Sequence, residues 1–177
     1  MIEAIILFGV PLFLLLLTIT VLLHIVFQIP YVPSRNRVVN RMIRIADLKK
    51  DDVVFDLGCG DGRLLIAAEK QKGVKAAEGF EIAPLVYLLA QFRKWLAHSR
   101  MKIHFKNLFD VRLRRANVIF CYLLPGAMKR LSKKFRKECE KGTRIVSHTF
   151  RIPDMEPIKI FKKNKRRNLP TVYLYQI

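Results

Sequence analysis

The sequence predicts an α/β fold: a seven-stranded, mostly parallel sheet ending in an antiparallel hairpin, preceded by one helix of membrane-spanning length. Three observations carry this reading. Residues 1–34 hold one charged side chain, Glu3, whereas all 33 Lys and Arg residues of the 177-residue chain lie beyond them. Past residue 50, short β-rich runs alternate with segments of helical period, as in crossover units on a parallel sheet. The first such run, at Val53 to Leu57, feeds a glycine-rich turn that opens a helix.

The N-terminal element rests on length and composition. From Ala4 to Ile29, 26 residues carry no formal charge and are dominated by Leu, Ile, Val and Phe. As a helix they reach roughly 39 Å, enough to cross a bilayer with some tilt. A secretory signal fits less well, because no Lys or Arg precedes the run, the run is too long, and no small-residue cleavage site follows. Pro11 is tolerated inside such a helix, with a kink. The chain therefore divides into an anchor, residues 1–30, and a soluble domain, residues 31–177. Arg35, Arg37, Arg41 and Arg44 follow the span while its N-terminal side offers no side-chain cation. The positive-inside rule then gives a single-pass membrane protein with its domain on the cytoplasmic side.

The remaining elements follow in order. Tyr31-Val32-Pro33 forms a rigid exit, and Ser34 is expected to cap a helix with Val38, Val39, Met42, Ile43, Ala46 and Leu48 on its apolar face. Its Arg residues face headgroups or water. A strand at Val53 to Leu57, a helix from Arg63 to Gln71 and a strand from Lys75 to Glu81 make a βαβ unit. Pro84 starts a helix reaching about Ser99, with Leu85, Leu88, Leu89, Phe92 and Leu96 as expected packing positions. Strands at Lys102 to Lys106 and Asn117 to Tyr122 come next, then a helix from Ala127 to Lys141 capped by Gly142. Strands at Thr143 to Thr149, Ile158 to Phe161 and Thr171 to Gln176 bring the count to seven. The last two leave no room for a helix between them, so they pair antiparallel. There is no internal repeat. Composition is 51% apolar, enough for a core and too much for disorder. Three cysteines, Cys59, Cys121 and Cys139, form no CxxC pair, which argues against a disulfide framework or a Cys-based zinc site; no metal is expected.

The informative chemistry lies at Asp56-Leu57-Gly58-Cys59-Gly60-Asp61-Gly62, where a doubly wound sheet places a nucleotide-like ligand. Glycines there permit tight turns and close backbone approach. The spacing departs from G-x-G-x-x-G, since the third glycine is residue 62 and residue 63 is Arg, which disfavours NAD. The Gly-Lys-Ser/Thr of a phosphate loop is also missing, which disfavours a nucleoside triphosphate. Glu81 ends the next strand, 19 residues beyond Gly62, and a carboxylate there is suited to accept hydroxyl donors.

This pattern resembles motif I of the class I S-adenosylmethionine-dependent methyltransferases, whose fold is a seven-stranded Rossmann-like sheet. The resemblance implies S-adenosyl-L-methionine as cofactor, its methionine part on the turn of Asp56, Gly58, Gly60 and Gly62 and both ribose hydroxyls on Glu81. Over most of the chain, Pro30-Tyr31-Val32-Pro33-Ser34, the glycine motif and Asn107-Leu108-Phe109 are similar to the family containing the ATP synthase c-subunit lysine methyltransferase and archaeal broad-specificity protein lysine methyltransferases. The apolar N-terminal segment resembles that of the mitochondrial members. This implies methyl transfer to lysine amines of proteins. Asn107 stands where the family has Asp after the third strand; its amide oxygen still accepts from the adenine amino group, but less strongly than a carboxylate.

Methyl transfer to a neutral amine needs positioning, a dry site and loss of the lysine proton. Nearby positive charge lowers the amine pKa, so no dedicated strong base is expected, and Asp61, His104 and His148 are read as structural. Tyr122-Leu123-Leu124-Pro125, at the end of the fourth strand, lacks the Asn/Asp-Pro-Pro-aromatic signature of N6-adenine and glutamine methyltransferases, which demotes base methylation. Tyr31, Tyr122 and Pro125 are candidates for the substrate channel, with plain packing as the alternative for the tyrosines. Lys129, Arg130, Lys133, Lys134, Arg136, Lys137 and Lys141 cluster on one predicted helix; Lys162, Lys163, Lys165, Arg166 and Arg167 fill the last hairpin loop. Anionic lipid is favoured over RNA as their partner. The expected substrate is a protein with an accessible lysine, membrane proteins included. A lipid headgroup or quinone, RNA, and a non-enzymatic cofactor-binding scaffold are the alternatives.

Overall fold

In the computed structural model, residues 5–27 and 30–177 are described; residues 1–4 and 28–29, at the ends of the expected anchor, lie outside the described residues. A π-helical turn, Ile5–Gly9, leads into α1, Val10–Phe27. Pro11 is the second residue of α1, where a fixed φ and a missing N–H suit a helix start, so the irregular backbone sits in the turn before it. The domain then runs α2 (Asn36–Ala46), β1 (Val53–Leu57), α3 (Arg63–Lys72), β2 (Ala76–Glu81), α4 (Pro84–Leu96), β3 (Lys102–Phe105), a 3-10 turn (Leu108–Asp110), β4 (Val118–Cys121), α5 (Pro125–Glu138), β5 (Arg144–His148), β6 (Lys159–Phe161) and β7 (Val172–Gln176).

The seven strands form one sheet in the order β3-β2-β1-β4-β5-β7-β6. The first five pair in parallel; β7 runs antiparallel to both β5 and β6, as expected of a hairpin too short to hold a crossover helix. Both faces of the sheet are covered, so its central strands are apolar throughout yet still sort by alternation. Val54, Val118, Phe120 and Val146 pack against α2, α3 and α4, while Phe55, Leu57, Ile119, Cys121 and Ile145 pack against α5 and the loops beside it. The reversal of strand order between β1 and β4 opens a crevice at their C-terminal ends.

Four local expectations are corrected. Ser34 does not cap α2: Arg35 occupies that position without a side-chain bond, and the Ser34 carbonyl accepts from Arg63 Nη1 at 2.7 Å. Helix α5 starts two residues earlier than expected, at Pro125, and ends at Glu138 with Cys139 as its cap; Gly142 instead turns the chain with φ +93° and donates to the Ile177 carbonyl at 2.7 Å. Arg41 faces neither headgroups nor water alone, because it donates to the carbonyls of Pro170, Phe161 and Lys162 and pins the β6–β7 hairpin. Finally, α4 turns Val86 and Ala90 to the sheet, where small side chains let the helix approach, and leaves Leu88, Leu89, Phe92 and Leu96 exposed. Helix α1 packs against α4, and Thr20 Oγ1 accepts from the Leu85 N–H at 3.2 Å.

Candidate active site

The chain leaving β1 makes a tight loop in which Gly58, Gly60 and Gly62 all adopt positive φ, at +74°, +56° and +74°. Two of these are also enforced by space. A Cβ on Gly60 would lie 2.9 Å from Tyr31 Cε2, and one on Gly62 would lie 2.8 Å from Met101 Cε. The loop is tied to the end of β2: Gly58 and Cys59 both donate to the Phe80 carbonyl, at 3.0 and 3.1 Å. Glu81 completes the tie. Its Oε2 accepts from Gly60 N–H at 3.1 Å, and its Oε1 accepts from Ile82 and Ala83 N–H, both at 2.9 Å.

A cleft opens beside this loop, lined by Asp56, Gly58, Gly60, Asp61, Glu81, Cys121 and Tyr122 and roofed by the segment Pro30 to Ser34. Asp56, Gly58, Gly60 and Glu81 thus meet at one place, whereas Gly62 supports the loop from the side of Met101. A second, narrower cavity shares His24, Gly58 and Glu81 with the first. It holds Asn107, Leu108 and Phe80 on one side and Leu23 and Phe27 of α1 on the other. Asn107 Oδ1 accepts from the Phe109 N–H at 3.0 Å and caps the 3-10 turn, which fixes the amide's direction. A third cavity shares Pro30, Val32 and Tyr122 with the first and adds Leu123, Leu124 and Phe150. Tyr31 and Tyr122 therefore border the cleft; Pro125 is exposed at the start of α5, next to Leu124 and outside all three linings.

Charge is distributed unevenly. Asp61 is compensated twice, by Arg63 (Nη2 to Oδ2 2.6 Å, Nε to Oδ1 2.9 Å) and by Arg93 (3.0 Å). Burial alone would raise its pKa, but the Arg63 bonds hold it below the usual carboxylate range. Tyr31, beside Asp61, has its hydroxyl pKa raised by burial and then by that carboxylate. Asp56 and Glu81 have no such cation among the described residues. Desolvation raises Asp56 well above the usual range, with Glu81 and Asp61 adding repulsion, and desolvation likewise raises Glu81 against its three N–H donors. A buried acid and a part-buried one without a countercharge among the described residues, facing a cleft framed by glycines, suit a ligand that brings its own positive charge. S-adenosylmethionine, with a sulfonium and an ammonium at one end and an adenosine at the other, fits this arrangement.

The remaining candidates are occupied elsewhere. His104 Nε2 lies 3.0 Å from Glu78 Oε2 and its ring stacks on Phe80. His148 is buried, both ring nitrogens lack a partner among the described residues, and burial pulls its pKa down to about 4. Its ring packs edge-on against Tyr122, centroids 4.0 Å apart. Sequence reasoning missed the part taken by α1 and by Arg93. Within the apolar run only His24 stands out as ionisable, and that was the one available signal.

A family described as ANTKMT methyltransferase domain matches residues 56–159. A protein-lysine N-methyltransferase of Saccharolobus islandicus is 41% identical over 152 residues, which are 85% of this chain and 94% of that protein. The adenine nucleotide translocase lysine N-methyltransferase of Mus musculus is 33% identical over 135 residues; the match takes in 75% of this chain but only 58% of the mouse protein. Among solved structures, an RNA methyltransferase from Salinibacter ruber in complex with S-adenosyl-L-homocysteine superposes with TM-score 0.77 at 31% identity, covering 82% of this chain and 94% of that one.

Proposed function

The chain belongs to the ANTKMT methyltransferase domain family, which makes it an S-adenosylmethionine-dependent methyltransferase, and from that premise we propose that it methylates lysine side-chain amines of proteins while held at a membrane by residues 1–30. The observation that carries the cofactor assignment is the uncompensated pair Asp56 and Glu81 beside the loop of Gly58, Gly60 and Gly62. In this reading Asp56 balances positive charge at the methionine end. Glu81 takes ribose hydroxyl, and Asn107, whose oxygen already accepts from the Phe109 N–H, presents its amide at the adenine end, between Phe80 and the last turns of α1. A carboxylate has about four lone-pair sites, and Glu81 already uses three on backbone N–H groups. One hydroxyl is accepted without change, and accepting both releases the Gly60 N–H.

When bound, the cofactor supplies a methyl group on a sulfonium, ready for displacement by an unprotonated amine. The chain's own part is to bind, to orient and to exclude water. Pro30 to Ser34 roofs the cleft, clamped there by Tyr31 on Gly60 and by Arg63 on the Ser34 carbonyl. The third cavity is the acceptor's approach: Val32, Leu123, Leu124 and Phe150 suit a lysine's aliphatic stem, and the Tyr122 ring at its junction with the cleft suits an ammonium. His148, with a pKa of about 4, is neutral at physiological pH and serves as packing behind Tyr122 rather than as a base.

The anchor reading rests on the 22-residue apolar helix Ile6–Phe27, most of whose side chains find no cover in the domain. With Arg41 engaged in the hairpin, Arg35, Arg37 and Arg44 remain exposed to place the domain on the cytoplasmic side. RNA is the second reading, favoured by the Salinibacter relative and by the basic face of α5. Incubating the full chain with radiolabelled S-adenosylmethionine and membranes, then separating protein, lipid and RNA, decides between them. Label in protein, recovered as methyl-lysine after hydrolysis, is expected; label confined to lipid or RNA overturns the proposal.

A further inference from the structure

Helix α4 carries an apolar stripe that the domain leaves uncovered. Leu88, Leu89, Phe92, Trp95 and Leu96 fall on one side of the helix, and Trp95, Phe92 and Leu96 are 68%, 55% and 56% exposed. Phe105, on the neighbouring edge strand β3, extends the stripe at 56% exposure. Its packing partner inside the domain is Tyr87, not solvent-excluding structure beyond it. Such a stripe on a water-facing surface is unfavourable and marks an interaction site.

Two observations say what covers it. The first is adjacency: α1, itself largely uncovered and apolar, lies against the start of α4, joined by the Thr20 to Leu85 hydrogen bond, so the stripe belongs to the helix that α1 packs on. The second is length. Ile6–Phe27 has 22 residues, about 33 Å of helix, close to the roughly 30 Å of a bilayer's hydrocarbon. The part before Thr20, where α1 meets the domain, spans only about 21 Å. For α1 to cross, its last two turns must also lie within the apolar layer, and the side of α4 beside them then enters it too. The depth required, on the order of 9 Å, matches that of an interfacial amphipathic helix. Lys94, Lys102 and Lys106 lie beside the stripe in the chain, placed to reach headgroups.

We propose that the outer side of α4, with Phe105, is embedded in the membrane that α1 crosses, so that acyl chains are the partner of this face and the domain sits at a fixed tilt with its cleft at headgroup level. The inference rests on the reading of α1 as a span, and the test separates the two. Trp95 is the single tryptophan of the chain and reports directly. The full chain is reconstituted in phosphatidylcholine vesicles, with or without bromine on the acyl chains, and Trp95 fluorescence is read alongside extraction by alkaline carbonate. The expected result is resistance to extraction, about twofold quenching by brominated lipid, and weak quenching by aqueous acrylamide. A Trp95→Phe, Ile158→Trp double variant moves the probe to the opposite edge of the sheet and is expected to reverse that pattern. Resistance to extraction with Trp95 open to acrylamide and blind to bromine overturns the inference and leaves the span standing. Trp95 shielded from both quenchers also overturns it, since a second copy or another protein then covers the face. Release by carbonate overturns the span and this inference together.

Discussion

Replacing Glu81 by Gln tests the cofactor site with little disturbance of shape. The Gln oxygen retains the two 2.9 Å bonds from Ile82 and Ala83, which turns the amide nitrogen toward the Gly60 N–H that Oε2 accepted at 3.1 Å. Two donors then face each other. One hydrogen bond to a charged acceptor is lost, about 1.5–3 kcal/mol, and the hydroxyl expected on Oε2 loses its acceptor as well. The ligand-free protein is partly spared, because the burial that raises the Glu81 pKa penalises the carboxylate and not the amide. Cofactor affinity should therefore fall by about 2–3 kcal/mol, roughly 30- to 150-fold in Kd, while Tm moves by only a few degrees. Titration calorimetry with S-adenosylmethionine and S-adenosylhomocysteine checks it. Equal losses for both ligands place the effect on the ribose, whereas a larger loss for the methionine form adds the sulfonium charge. Binding of both ligands within about threefold of the parent refutes the assignment.

Gly60→Ala should weaken cofactor binding by about tenfold or more, since it combines φ +56° with a 2.9 Å contact to Tyr31; adding Tyr31→Ala should recover stability but not affinity, as calorimetry and thermal unfolding would register. Cofactor binding should release protons at pH values above the ordinary carboxylate range, where Asp56 and Glu81 still hold protons in the free site. Desolvation raises the pKa of Asp56 and Glu81 in the free site, so their protonated forms add stability below the ordinary carboxylate range that is lost as pH rises through the raised values, and a cationic ligand favours the carboxylates. Calorimetry in buffers of different ionisation enthalpy measures this, and buffer-independent heats contradict it. His148 works in the opposite sense: with a pKa depressed from 6.5 to about 4, its contribution is present above 6.5 and lost as pH falls through 4, at most about 3 kcal/mol. The His148→Phe variant removes no hydrogen bond, so its Tm should fall less than the parent's between pH 6.5 and 4; parallel curves would exclude His148 as a source of acid sensitivity.

What was legible in the chain is what short-range chemistry writes. The Asp56 to Gly62 turn, Glu81 at a strand end and the buried face of α2 each depend on neighbours a few residues away, and the structure places them where the pattern pointed. Helix α4 misled for a physical reason: Val86 and Ala90 on one side and Leu88, Phe92 and Leu96 on the other are all apolar, so periodicity defines two candidate inner faces. Close approach to the sheet selects the smaller side chains, and that selection is tertiary. The Asp61 to Arg93 pair joins residues on different elements and leaves no local mark. Gly142 resembled a helix cap because a glycine after a helical run usually is one, yet here it serves the closing contact with Ile177.

Because Leu23, His24 and Phe27 wall the cavity beside Glu81 and Asn107, the apolar N-terminal helix and the candidate cofactor site share some of the same atoms. Cutting away the first thirty residues to obtain a water-soluble fragment would keep every glycine of the cradle and still remove one side of the enclosure. Constants measured on that fragment would describe a roomier, wetter compartment than the one the intact chain builds.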